Sequence, residues 1–172
     1  MNDNPAQPEA RSREYPIRED MAYQQKVWRF ERYGWYGLVL LILLALAGLF
    51  SGGILSAKDV RSQAGEVRVE YQMFHRNGST EPMKITVKGA PDSTVEVGLE
   101  GELLEGFTVE TLLPEAVRAR GDSQGIRLWV RTDAQGQASL YLSLRSNGVG
   151  LFRSRIATAS SRGLALDQFI FP

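Results

Sequence analysis

The chain contains no cysteine and only one histidine, His75, among its 172 residues. The absence of cysteine excludes disulfide bonds, thiolate metal ligands and cysteine nucleophiles. A single histidine leaves one candidate base for serine hydrolysis, and neither a G-x-S-x-G elbow nor a phosphate-binding glycine loop accompanies it. We therefore expect a protein that is not an enzyme and that holds no cofactor.

The chain also lacks an excess of charge of either sign, because twenty basic residues balance twenty acidic ones. A nucleic-acid-binding surface would require a basic surplus, so nucleic acid is not an expected partner. The charges are nevertheless unevenly placed. Residues 92–115 carry seven acidic side chains and no basic one, whereas residues 116–166 carry eight arginines.

The chain does contain one long apolar run, residues 34–55, in which no side chain is charged. At about 1.5 Å of helical rise per residue the run reaches roughly 33 Å, which matches the ~30 Å hydrocarbon core of a bilayer. The run is therefore predicted to be a transmembrane helix. Cleavage as a signal peptide is the alternative, but the segment before the run is longer than an ordinary n-region.

The segment before the run divides into two parts. Residues 1–15 are polar and contain two prolines, which predicts a disordered tail. Residues 16–33 begin with a proline followed by acidic residues, which predicts a juxtamembrane helix; a solvated, partly frayed leader is the alternative. Aromatic rings near the start of the run are predicted to lie in the membrane interface, and they belong to Trp28, Tyr33, Trp35 and Tyr36.

The residues that flank and line the run predict its orientation and its partners. Arg29 and Arg32 lie directly before it, so we expect a cytoplasmic N-terminus, one crossing of the inner (cytoplasmic) membrane and an extracytoplasmic C-terminal domain. Ala45, Gly48 and Gly52 form a stripe of small side chains that would let another helix approach closely, and the alternative is that Gly52 and Gly53 end the helix. The expected partners are therefore the membrane itself, other membrane proteins, or a second copy of the chain bound through this helix.

Beyond a linker predicted for residues 56–65, the hydrophobic period changes to two throughout residues 66–172. Short alternating segments separated by turn residues are typical of an antiparallel β-sandwich, which we expect to be immunoglobulin-like; a small barrel is the alternative. The clearest segments, residues 126–131 and 140–144, are predicted to form a hairpin around the loop 133–137.

The arginine-rich part of this domain predicts a basic, aromatic surface that binds a partner. Period two places these side chains on the polar faces of three successive strands, which form one surface if the strands are neighbours. The residues are Arg127, Trp129, Arg131, Tyr141, Arg145, Arg153 and Arg155. A protein partner or an anionic lipid fits such a surface, and the alternative is a solvated face whose arginines pair with nearby glutamates.

Met73, His75 and Met83 offer thioether and imidazole groups, a ligand set that suits Cu(I). Met73 and His75 are two residues apart on one predicted strand, and Met83 lies on the next one. The same predicted face carries Val69 and Tyr71, so Met73 is better explained as a core residue and His75 as a residue at the end of a strand. We favour this interpretation, and no metal is expected.

Residues 23–35, YQQKVWRFERYGW, lead into the apolar run and then into the β-rich domain. In this layout the chain is similar to uncharacterised bacterial single-pass membrane proteins with a C-terminal β-sandwich. The layout also resembles the copper-delivering cytochrome oxidase assembly factor, but the cysteine ligands of that family have no counterpart here.

We therefore expect a non-enzymatic, membrane-anchored interaction or accessory subunit of a membrane protein assembly. The alternatives are a copper-handling or other assembly factor for a membrane enzyme, and a transmembrane sensor. A sensor is less favoured because the short N-terminal segment leaves no room for a folded output domain.

Overall fold

A computed structural model describes residues 21–47, 53–159 and 161–172. The predicted disordered tail, residues 1–15, and the predicted start of the juxtamembrane helix lie outside the described residues. The same is true of Gly48 and Gly52, two of the three residues predicted to pack against another helix.

Helix α1 spans Met21–Leu46, so residues 21–33 of the predicted juxtamembrane helix and residues 34–46 of the predicted span form one continuous helix. Among the described residues, no helix is both long enough and apolar enough to cross a membrane. The predicted span also includes residues 48–52, which lie outside the described ranges.

The remaining described residues form a β domain with one helical turn, α2 (Leu103–Gly106). Its strands are β1 (Ala57–Arg61), β2 (Val67–Gln72), β3 (Phe74–Arg76), β4 (Thr80–Lys88), β5 (Thr94–Gly101), β6 (Phe107–Leu113), β7 (Arg118–Asp122), β8 (Gly125–Arg131), β9 (Gln137–Ser146), β10 (Gly150–Thr158) and β11 (Ser161–Phe171). Strand β1 occupies much of the predicted linker 56–65 and pairs with β2, so that segment belongs to a sheet.

The strands form two sheets. Sheet I has the order β1-β2-β4-β9-β6, and sheet II has the order β3-β11-β10-β5-β8-β7. The pairing of β3 with β11 is parallel, and the other pairs are antiparallel. The chain passes from sheet I to sheet II at Met73, between β2 and β3. The prediction of a mainly β domain built as a sandwich is confirmed.

The core is built by alternate residues of both sheets, as the period of two predicts. Sheet I contributes Val67, Val69, Ile85, Val87, Leu140 and Leu144, and sheet II contributes Val97, Leu99, Leu128, Val130, Ile156, Leu166 and Ile170. Leu103 of α2 and Phe107 at the start of β6 are also buried in this cluster. Burying a side chain of this size stabilises the fold by about 1.5–3 kcal/mol, so this interface dominates the stability of the domain.

The predicted hairpin between residues 126–131 and 140–144 is wrong. Strand β8 pairs with β5 and β7 in sheet II, whereas β9 pairs with β4 and β6 in sheet I. The connecting loop therefore crosses from one sheet to the other. Asp133 orders this loop, because its Oδ1 accepts hydrogen bonds from the backbone N–H groups of Gln135 and Gln137 at 3.0 and 2.8 Å.

Candidate interaction surfaces

The outer face of sheet II carries a group of arginines around Trp129, at the edge formed by β7. Cross-strand pairing places Arg118 opposite Trp129 and Arg120 opposite Arg127. The guanidinium carbon of Arg118 lies 5.2 Å from the centre of the Trp129 ring, within the range of a cation–π contact. We call this surface the arginine–tryptophan edge, and its residues are Arg118, Arg120, Arg127, Trp129 and Arg131.

Two acidic side chains balance only part of this charge. Arg127 forms ion pairs with Glu96 at 3.3 Å and with Asp122 at 3.2 Å. Within the described residues, the exposed side chains of Arg118, Arg120 and Arg131 form no salt bridge. The four arginines and two carboxylates leave this edge with a net positive charge.

The backbone of the same edge is also accessible. Strand β7 is exposed at each of its positions, and in the described part of the chain it pairs with β8 alone. A second strand could therefore hydrogen-bond along its outer side, which is how many domains capture extended peptides. Arginines at alternate positions of β7 would then lie beside the side chains of the added strand.

The structure does not unite the seven residues predicted to form one partner-binding surface. Arg127, Trp129 and Arg131 lie together on β8, but Arg153 and Arg155 lie on β10, and β5 separates the two strands. The prediction that these strands are neighbours is wrong because it depended on the hairpin. Arg118 and Arg120 were not predicted to belong to this surface, although the short turn between β7 and β8 is a signal that the two strands pair as a hairpin.

Tyr141 and Arg145 lie on β9, on the outer face of sheet I, and so on the opposite side of the sandwich. Each has a local partner there. The ammonium nitrogen of Lys84 lies 5.4 Å from the centre of the Tyr141 ring, and Arg145 pairs with Glu110 at 3.5 Å. These two residues are therefore separate from the arginine–tryptophan edge.

Arg153 and Arg155 line an open groove of about 620 Å³ on sheet II. Arg153 lies 3.9 Å from a carboxylate oxygen of Asp167, and its backbone N–H donates to Glu102 at 2.8 Å. Further carboxylates of Glu100 and Glu105 face the same groove. The groove is thus a solvated region of mixed charge, which is the alternative that the sequence left open for these arginines.

His75 is almost completely buried, with 1% of its surface exposed. Its Nε2 lies 2.8 Å from the carbonyl oxygen of Gln72 and 3.0 Å from Nε2 of Gln168, and the edge of its ring contacts Phe107 at a centroid distance of 4.8 Å. Burial lowers the pKa of His75, and the hydrogen bond to Gln72 opposes this effect. The imidazole is therefore held neutral in the core.

The predicted alignment of Met73 with His75 on one strand is wrong. The strand breaks at Met73, so His75 belongs to sheet II, while Met83 is buried in sheet I. Nε2 of His75 is already hydrogen-bonded to the protein. Among the described residues, no group of three histidine, cysteine, aspartate or glutamate side chains is arranged to hold a metal ion.

The residues predicted to lie in the membrane interface are exposed side chains of α1. They are Trp28, Tyr33, Trp35 and Tyr36. The guanidinium carbon of Arg32 lies 4.6 Å from the centre of the Trp28 ring, one turn away. Ala45 is exposed near the end of the same helix.

A second surface of the β domain was not predicted. Phe74, Phe169 and Phe171 lie half-buried on the outer face of sheet II, at the edge formed by β3. Phe169 and Phe171 meet edge to face at a centroid distance of 4.8 Å, and Phe74 lies 5.9 Å from Phe171. Leu151, which is 48% exposed, lies opposite Phe169 on β10. We call these four residues the aromatic patch.

Comparison with known proteins provides no family assignment, because no family model and no curated protein matches the chain. The chain is similar to a solved β-glucosidase from Listeria innocua in complex with gluconolactone, with 13% identity and a TM-score of 0.35, over 62% of this chain and 16% of the enzyme. It is also similar to the cupredoxin domain of amoB from Nitrosocaldus yellowstonii, with 11% identity and a TM-score of 0.24, over 63% of this chain and 57% of that domain. At these TM-scores neither likeness bears on activity.

Proposed function

We propose that the chain is a non-enzymatic, single-pass accessory subunit of a membrane protein assembly, and that its β domain binds a partner outside the cytoplasm. The apolar run at residues 34–55 supports the anchor. The observation that carries the binding role is the arginine–tryptophan edge, which combines uncompensated arginines with a large aromatic ring on an accessible strand edge.

The order of the strands supports the finer assignment of an immunoglobulin-like sandwich. Such domains place strands A, B, E and D in one sheet and strands C, F and G in the other. Here β2, β4, β9 and β6 are neighbours in sheet I, and β5, β10 and β11 are neighbours in sheet II. Domains of this kind are common as interaction modules, which agrees with the proposed role by analogy of fold alone.

The chemistry of the edge favours an acidic, extended partner segment. Guanidinium groups bind carboxylates through paired, charge-assisted hydrogen bonds, and arginine and tryptophan are enriched among residues that dominate binding energy. Arg118 and Arg120 are two residues apart on β7 and so project from the same face. An acidic strand paired with β7 would meet both of them.

Purification of the full chain from membranes in mild detergent tests this proposal. We expect that R118E combined with R120E will reduce the recovery of a co-purifying membrane protein at least about tenfold, because each reversal replaces attraction by repulsion. The matched control is K84E combined with R145E, which makes the same charge change on the outer face of sheet I. The control variant should recover the partner at the wild-type level.

The melting temperature of each variant shows whether the substitutions leave the β domain folded, so that the recoveries can be compared. All four substituted side chains are solvent-exposed or half-buried, so we expect little change in stability. Wild-type recovery of the partner by a folded R118E/R120E variant would contradict the proposed site. Equal loss in both variants would assign the effect to net charge rather than to the arginine–tryptophan edge.

A further inference from the structure

We propose that the aromatic patch is the surface with which the β domain contacts the lipid headgroup region of the membrane that anchors it. This inference rests on the proposed membrane anchor. It adds an orientation of the domain and a second binding surface, on a different edge from the arginine–tryptophan edge.

The patch consists of apolar side chains on the outer face of sheet II, where a surface in contact with water would carry polar ones. Phe74, Phe169 and Leu151 lie in one row across three neighbouring strands, with Phe169 paired to each of the other two. Their chain neighbours His75 and Gln168 point into the core instead. Exposed faces of antiparallel sheets normally carry polar residues, so a continuous row of apolar side chains indicates contact with an apolar partner.

The position of Ser56 places this patch near the point where the chain leaves the predicted span. The Ser56 hydroxyl accepts a hydrogen bond from the N–H of Phe74 at 3.0 Å and donates one to the carbonyl oxygen of Phe74 at 3.2 Å. The N–H of Met73 donates to the carbonyl oxygen of Ser56 at 2.7 Å. Because Ser56 directly follows the run 34–55, an anchored chain must hold Phe74 within about 10 Å of the end of the span.

The charge beside the patch also suits a lipid surface. Arg76 is exposed and lies opposite Phe171 on the neighbouring strand. Within the described residues Arg76 forms no salt bridge. Aromatic rings prefer the boundary between headgroups and acyl chains, and an adjacent guanidinium can bind the lipid phosphate. This combination, tethered beside the predicted membrane exit, favours lipid over a soluble protein.

The two surfaces are well separated along the same sheet. The aromatic patch lies on β3, β11 and β10, whereas the arginine–tryptophan edge lies on β8 and β7. From β3 to β7 there are five strand spacings of about 4.8 Å, or roughly 24 Å. A domain that stands on the bilayer with its β3 edge therefore holds the arginine–tryptophan edge at the far end of the same sheet, where a partner can reach it.

The absence of cysteine allows a direct test by single-site labelling of the full chain. Cysteine is introduced at Leu151 or, as the matched control, at Arg131, which lies on the same face of sheet II but towards its other edge. Each variant is labelled with an environment-sensitive fluorophore. The labelled chains are reconstituted in vesicles that contain lipids with a quencher at the upper acyl chain. We expect several-fold stronger quenching for the L151C label than for the R131C label.

Flotation of the vesicles tests the proposed anchor independently of the proposed contact between the aromatic patch and lipid. If the chain does not float with the vesicles, the proposed anchor fails. If the chain floats and the two labels are quenched equally, the anchor stands and the inference about the patch is overturned. Energy transfer between L151C labels on different chains, without lipid quenching, would assign the patch to self-association and would also overturn it.

Two further variants test the chemistry in the L151C background. F169S combined with F171S should reduce the quenching to the level of the R131C control, because it removes the exposed part of both rings. R76E reverses only the charge beside the patch and should weaken quenching most in vesicles that contain anionic lipid. If folded R76E and F169S/F171S chains both retain full quenching, the patch does not carry the contact.

Discussion

Acidification should destabilise the β domain through its buried histidine. His75 is 1% exposed, and burial lowers its pKa below the ordinary value of 6.5. The unfolded chain therefore takes up a proton at a pH at which the folded chain still excludes it. The stability contributed by the neutral imidazole is fully present above the unfolded pKa and is lost as the pH falls through the window between the two pKa values.

The size of the effect follows from this difference in proton uptake. Within the window, one extra proton on the unfolded chain lowers the free energy of unfolding by about 1.4 kcal/mol per pH unit. Glu81 acts in the opposite direction, because burial raises the pKa of its carboxyl group. The folded chain then holds that proton more tightly, so Glu81 favours folding as the pH falls, and the measured slope is a difference between the two groups.

Urea unfolding of the full chain in mild detergent measures this slope. Trp28 and Trp35 are replaced by phenylalanine in every variant, so that the fluorescence of Trp129 reports only on the β domain. We expect the free energy of unfolding to fall as the pH is lowered below about 6.5. H75Q, which cannot be protonated there, should be less stable at neutral pH but should lose the fall on acidification.

The Glu81 contribution provides the second comparison. E81Q removes the opposing titration and should make the acid-induced loss of stability steeper than in the parent chain. A parent chain whose stability is constant or rises over this interval would refute the reasoning about His75. An H75Q variant with the parent slope would assign the acid sensitivity to another group.

Three further predictions concern the backbone and the anchor. Gly125 has a φ of +147°, and a Cβ there would collide with the β5 backbone, so G125A should lower the free energy of unfolding by more than about 1 kcal/mol. G121A, whose Cβ would make only an ordinary contact at 4.0 Å, should cost less in the same urea titration. G48I or G52I should weaken association with a partner helix but not membrane insertion, and unchanged co-purification would exclude a packing role for these glycines. A reporter active only outside the cytoplasm should function at the C-terminus and not at the N-terminus, and the reverse result would overturn the proposed orientation.

Hydrophobic alternation predicted the sandwich because each strand buries one face and the pattern is local. Strand β2 illustrates this, since Val67 and Val69 are fully buried and Arg68 and Glu70 are not. The same pattern could not predict which strands are neighbours. Leu128 lies in sheet II and Leu140 in sheet I, and both face the same core. Two strands joined as a hairpin and two strands joined by a loop that crosses between sheets show the same alternation of apolar and polar residues. The partner surface was therefore only partly predicted, and Arg118 was missed.

The end of β11 was ambiguous for a different reason. One face of this strand carries Gln168 and Ile170, and the other carries Phe169 and Phe171. From hydrophobicity alone the two phenylalanines are the better core residues, yet the structure buries Gln168 and turns the rings outward. The pairing of β11 with β3 places those rings beside Phe74, and this pairing could not be predicted from the sequence pattern.

This inversion costs stability, and the cost supports a role for the outward rings. Within the described residues, Nδ1 of His75 and Oε1 of Gln168 are buried without a hydrogen-bond partner. Each such group destabilises a fold by about 1–3 kcal/mol, and apolar side chains at these positions would avoid the loss. Places where a sequence departs from the pattern of its own fold are expected at functional sites. The inward histidine and glutamine and the outward phenylalanines occupy alternate positions of the same two strands, so this departure from the expected pattern lies directly behind the aromatic patch.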